Sequence, residues 1–188
     1  KMLAAAGMVN IKHGQGVYIT EKDSPSNVLI NFALKNYMDD NTVRDLFELR
    51  KLLETQNAAW ACERAESEEL ENLSEIVDQT IDALQDTKND LLILARQDSE
   101  FHTKLAEATG NKVIVRVMHD LLDLLNDVRC QTLSIPDRPF KSLNEHKEIV
   151  EALKARNVDK VKEKMLVHLN NVEAELLKRK ARKNGKNR

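Results

Sequence analysis

Apolar residues recur along most of this chain at three- and four-residue steps, the spacing that gathers them on one face of an α-helix. Leu91, Leu94, Ala95, Phe101, Leu105 and Ala108 form one such stripe. Leu143, Ile149, Val150 and Leu153 form a second, and Val161, Met165, Val172 and Leu176 a third. Breaks fall at Asp39 to Asn41, Ser67, Thr87 to Asn89, Gly110, Ile135 to Pro139 and Asn157. The pattern predicts helices over 25–38, 42–64, 67–86, 90–108, 112–132, 141–156 and 158–180. Thr42 and Asn111 suit N-caps, Gly110 suits a C-cap, and Pro136 and Pro139 punctuate one longer loop.

The first twenty residues keep a different rhythm. A helix end from Met2 to Ala6 stops at Gly7; Val9 and Ile11 then alternate before a turn at Gly14, Gln15 and Gly16, and Val17 and Ile19 alternate after it. Two strands and a helix stub cannot bury a core. This segment therefore reads as the cut end of a larger domain over 1–20, followed by a helical domain over 21–180 and a basic, disordered tail over 181–188. The expected fold is all-α, a seven-helix antiparallel bundle preceded by a β-hairpin.

Composition fits that reading. Among 188 residues there are 5 Gly and 3 Pro, and 32% are charged, a balance that favours long helices with solvated faces. The 41% hydrophobic content is enough for a core. No apolar run approaches the ~20 residues that span a bilayer, so the chain reads as soluble and cytoplasmic, without a membrane partner. Cys62 and Cys130 are too few for a disulfide framework. Residues 178–188 carry seven of the 29 basic residues and no acid, which leaves 22 basic against 31 acidic, a net −9, for residues 1–177. The basic end reads as a solvated helix terminus; contact with nucleic acid is the alternative.

Polar residues inside the apolar stripes change the picture. Asp98 and His102 sit one helical turn apart in the stripe of Leu94 and Phe101, where an isolated carboxylate would be costly to bury. His146 and His168 interrupt the next two stripes, each eleven residues from Asn157, so an antiparallel hairpin turning there brings them level. One Asp and three His from three helices suit a divalent cation, Zn²⁺ first, with Ni²⁺ or Mn²⁺ as alternatives. His119 shares a face with Lys112, Arg116, Asp123 and Asn126 and is expected in solvent. Arg50, in a stripe with Val43, Leu46, Phe47 and Leu53, and Arg129, after Leu121, Leu122 and Leu125, also break the apolar pattern. A guanidinium there calls for a carboxylate: that of a bound small acid or, for Arg50, that of Glu54 one turn on.

Five stretches, "LAAAGMVNIKHGQGVYIT", "ELRKLLETQNAAWACERA", "DSEFHTKLAEATGN", "EHKEIVEALKARN" and "MLVHLNNVEAEL", resemble the GntR superfamily of bacterial transcription regulators, in the FadR subfamily with the helical FCD effector domain. The resemblance implies that Asp98, His102, His146 and His168 bind the metal and that a small carboxylate effector completes its coordination. It implies that 1–20 is the end of a winged helix-turn-helix whose turn, Lys12, His13, Gly14, Gln15 and Gly16, approaches operator DNA. It also implies a homodimer, since two-fold operators require two wings at fixed spacing. The rivals are a metal-dependent hydrolase using the Asp/His₃ site, and a purely structural metal.

Overall fold

In a computed structural model of the chain, residues 9–12, 16–19, 40–86 and 91–186 are described. The chain divides into two compact units, Lys1–Val43 and Arg44–Arg188, a later limit than the expected one after residue 20. In the first unit β1 (Val9–Lys12) pairs antiparallel with β2 (Gly16–Ile19), with Val9 opposite Ile19 and Lys12 opposite Gly16. The expected helix over 25–38 and the turn residues His13, Gly14 and Gln15 lie outside the described residues.

Seven helices are described: α1 (Asp40–Arg64), α2 (Ser67–Asp86), α3 (Leu91–Glu107), α4 (Lys112–Leu124), α5 (Asn126–Leu133), α6 (Arg138–Lys154) and α7 (Val158–Lys186). The number matches the expectation, but the set differs. The single helix expected over 112–132 is two, broken at Leu125, whose φ of −85° and ψ of 0° interrupt the helical run without a Gly or Pro. The guanidinium of Arg129 donates to the Leu122 carbonyl at 3.3 Å beside this break and so offsets what the interruption frees. Helix α6 starts at Arg138 rather than 141, because Pro139 occupies its first turn, where its missing N–H costs nothing. Thr42 lies inside the first turn of α1 instead of capping it. The basic end is helical through Lys186, so residues 181–186 continue α7 and do not form the disordered tail expected there; Ala, Arg and Lys are good helix formers.

Other local signals act as their chemistry dictates. Asn111 accepts from the N–H groups of Val113 and Ile114 at 3.0 and 3.3 Å and caps α4, while Gly110 just before it holds φ +69°. The turn between α6 and α7 is centred on Asn157, whose side chain accepts from the Lys160 N–H at 3.0 Å. One main core joins α1, α2, α3, α6 and α7 through residues such as Leu73, Phe101, Leu105, Ile149, Leu153 and Met165, all 1% exposed or less. Helices α6 and α7 pack as a hairpin, and α2 lies against α6. No described helix is long and apolar enough to cross a membrane.

Candidate metal centre

The α6–α7 hairpin brings His146 and His168 together as the symmetry about Asn157 predicts: their Nε2 atoms are 3.3 Å apart. From α3, His102 completes a group of three buried imidazoles whose ligand atoms all lie within 4.8 Å of one another. Two nitrogens bound to one tetrahedral zinc at ~2.05 Å would be separated by roughly 3.3 Å, so the His146–His168 spacing fits the metal without movement of either helix. Phe101 stacks on His146 with ring centroids 4.1 Å apart and planes 14° from parallel, which holds that imidazole in place. His119 is exposed, as its polar face requires.

Asp98 stands at the rim of the group, its side chain 12% exposed. One oxygen lies 3.8 Å from His146 Nε2, and the other accepts from Arg129 Nε at 3.0 Å. Burial pushes its carboxyl up, but His102, His146, Arg129 and Arg50 outweigh that and hold it well below the usual range. Burial first, then the neighbouring His168, pushes His146 far below the ordinary imidazole value, and burial also lowers His168. Both are therefore neutral at pH 7, the form that ligates a metal. A donor set of imidazole nitrogens with a carboxylate beside them fits a borderline divalent cation.

Arg50 meets the Glu54 carboxylate, one of the two partners the sequence offered it. Its Nε pairs with Glu54, and its NH2 lies 3.0 Å from His102 Nε2. Glu54, 1% exposed, turns its second oxygen to His102 Nδ1. Burial raises the Glu54 carboxyl, but Arg50 and His102 prevail and lower it to about 2. Arg50 and Arg129 also line one small chamber with Asp98, Ser142 and His168. It encloses about 10 Å³, room for a single water.

Sequence reasoning missed a third carboxylate and its partner. Glu145 accepts from His168 Nδ1 at 2.7 Å and from Asn171 Nδ2 at 2.9 Å, and it pairs with Arg138. Arg138 is 1% exposed although a loop position was expected of it. The signal lay in the spacing: once α6 begins at Arg138, Glu145 falls two turns on, at i+7, on the same face.

An FCD domain model matches residues 45–171. The HTH-type transcriptional regulator LutR of Bacillus subtilis is 28% identical over 176 residues, covering 91% of this chain and 78% of LutR. The HTH-type transcriptional repressor NanR of Salmonella newport is 29% identical, covering 92% of this chain and 66% of NanR. Among solved structures, a GntR protein of Streptococcus agalactiae is 27% identical, with a TM-score of 0.65 over 92% of this chain and 77% of its own. The metal-free FCD domain of TM0439 is 28% identical, with a TM-score of 0.62 over 75% of this chain and 95% of its own.

Proposed function

The chain belongs to the FCD domain family of GntR-type transcription regulators, and from that premise we propose that its helical domain senses a small carboxylate metabolite through a bound divalent metal. His102, His146 and His168 would hold the ion, with Asp98 as the fourth protein ligand; zinc is the first choice, nickel or manganese the alternatives. The observation that carries the reading is the convergence of three buried imidazoles, from α3, α6 and α7, beside two arginines. Bound there, the metal supplies a Lewis-acidic centre for an oxygen ligand. Arg50 and Arg129 supply the cationic wall that orients a carboxylate.

The chamber between them is too small for an organic acid, so an effector of several atoms enters only as the packing of α1, α5 and α7 opens around it. That requirement gives the ligand different affinities for two packings, which is what coupling to a distant site needs. The distant site in this reading is operator DNA, met by the β1–β2 hairpin as a wing whose turn, from Lys12 to Gly16, lies against the phosphate backbone. A homodimer places two such wings on a two-fold operator, and a protein acting on the chromosome of a bacterium works in the cytoplasm. The carboxylates beside the site do not favour a hydrolase: Glu54 and Glu145 are each committed to an arginine and an imidazole, so neither is free to serve as a base.

Elemental analysis of the purified protein tests the centre. About one divalent ion per chain is expected, and its loss in the His146→Ala, His168→Ala double variant; unchanged metal content in that variant rejects the site. Chelation should lower the melting temperature as well, since an ion bound only to the native state stabilises it by mass action.

A further inference from the structure

Two of the three imidazoles share an arrangement behind the ring that faces the centre. His168 turns Nδ1 to Glu145 at 2.7 Å, and Glu145 is gripped by Arg138 and by Asn171. His102 turns Nδ1 to Glu54, which is gripped by Arg50, but Arg50 also sets its NH2 3.0 Å from His102 Nε2, so that lone pair already meets a donor. In both cases a carboxylate lies between an imidazole and a guanidinium that is 4% exposed or less. Arg138 is further anchored on Ser142, to which it donates from Nε and NH2 at 3.2 and 3.0 Å.

The chemistry of these groups fixes where the His168 ring proton goes. An ionised carboxylate can only accept a hydrogen bond, and at Glu145 the guanidinium of Arg138 sits on the same oxygen as the ring and favours the ionised form. A neutral imidazole facing such a group must carry its proton on Nδ1, which leaves the lone pair on Nε2. The Nε2 atom of His168 is the one that meets His146 at 3.3 Å. The third imidazole, His146, is held by the Phe101 ring stack instead.

We propose that Glu145 is a positioning residue that, braced by Arg138, holds His168 in the Nδ1–H tautomer and aims its Nε2 lone pair at the cation. This rests on the metal-centre reading and extends it to two residues that touch no ion themselves. Carboxylates behind metal-bound imidazoles set ring orientation and raise ligand basicity, and their loss weakens metal binding. The Arg138–Glu145 pair sits within α6 while His168 sits on α7, so the orientation of that ligand depends on the register of the hairpin.

The experiment reads ring tautomers by ¹⁵N NMR on the chelator-treated full chain, above the imidazole titration range, alongside calorimetric titration with Zn²⁺ alone. In the parent protein His168 should show protonated Nδ1 and unprotonated Nε2, with the exposed His119 as the solution reference. Glu145→Ala should abolish the preference at His168 and weaken Zn²⁺ binding about 10- to 100-fold. Glu145→Gln, whose carbonyl still accepts from Nδ1, should recover the tautomer and most of the affinity. The proposal is overturned if His168 in the parent carries its proton on Nε2, or if folded Glu145→Ala keeps both tautomer and Zn²⁺ affinity. Should Glu145→Ala not fold, the parent spectrum still decides. Parent protein with the Nδ1–H tautomer at His168 that takes up no Zn²⁺ rejects the metal centre and leaves the carboxylate-imposed tautomer standing. Parent protein that binds Zn²⁺ with His168 in the other tautomer rejects the positioning role alone.

Discussion

Replacing Arg50 by methionine separates what this arginine does for the fold from what it does for a ligand. Arg50 is 4% exposed and Glu54 1%, and their pairing one turn apart on α1 is shielded from solvent screening. Methionine keeps much of the volume and removes the charge, so the main consequence is a buried carboxylate left with only His102 Nδ1 beside it. Breaking one partner of a buried ion pair costs about 3–5 kcal/mol, a large share of the roughly 5–15 kcal/mol that holds a domain folded. Glu54→Gln alone strands the guanidinium and should cost a similar amount. With both substitutions no unpaired charge remains, and the residual cost is that of a poorly satisfied amide and imidazole, about 1–3 kcal/mol. The double variant should therefore be no less stable than Arg50→Met, a coupling of at least about 2 kcal/mol. Urea unfolding of the chelator-treated protein, followed by circular dichroism with an unchanged m-value, measures it. A loss below about 1 kcal/mol for Arg50→Met, or simple additivity in the double variant, would refute the argument that Arg50 and Glu54 form one buried unit.

The same variant tests the ligand role: metal-loaded Arg50→Met should bind small mono- to tricarboxylic acids about 1.5–3 kcal/mol more weakly with its metal content unchanged. Calorimetry returning equal affinity would assign Arg50 to Glu54 alone. Light scattering should show a particle of twice the 21.5 kDa chain mass at micromolar concentration, and a monomer there counts against the dimer. Gly110→Ala should cost about 1–2 kcal/mol, all of it conformational, because the residue holds φ +69° and no heavy atom lies within 4 Å of an added Cβ; a loss much beyond that in urea unfolding would reveal a steric conflict.

Helix periodicity and punctuation made most of the described helices and the three clustered histidines legible without a structure. Each stripe is a local property of one helix, and the Asn157 turn sets the register of the next, so His146 and His168 could be matched across a hairpin from spacing alone. His102 joined them because the apolar stripe of α3 already pointed it inward. Where the polar atoms go was decided in three dimensions. A stripe says which face is buried and nothing about which carboxylate across the core meets which ring. Asp98 thus appeared as a plain fourth ligand, whereas 31 residues on Arg129 holds one of its oxygens. Glu54 was legible as a neighbour of Arg50 but not as the carboxylate behind His102, 48 residues away in sequence on another helix. Arg138 was hidden because Pro139 beside it reads as a loop residue unless the helix is known to start one position earlier. The break at Leu125 had no Gly or Pro to mark it. In each case rotamers and helix packing, which depend on all the neighbours at once, chose among partners that the one-dimensional pattern leaves equivalent.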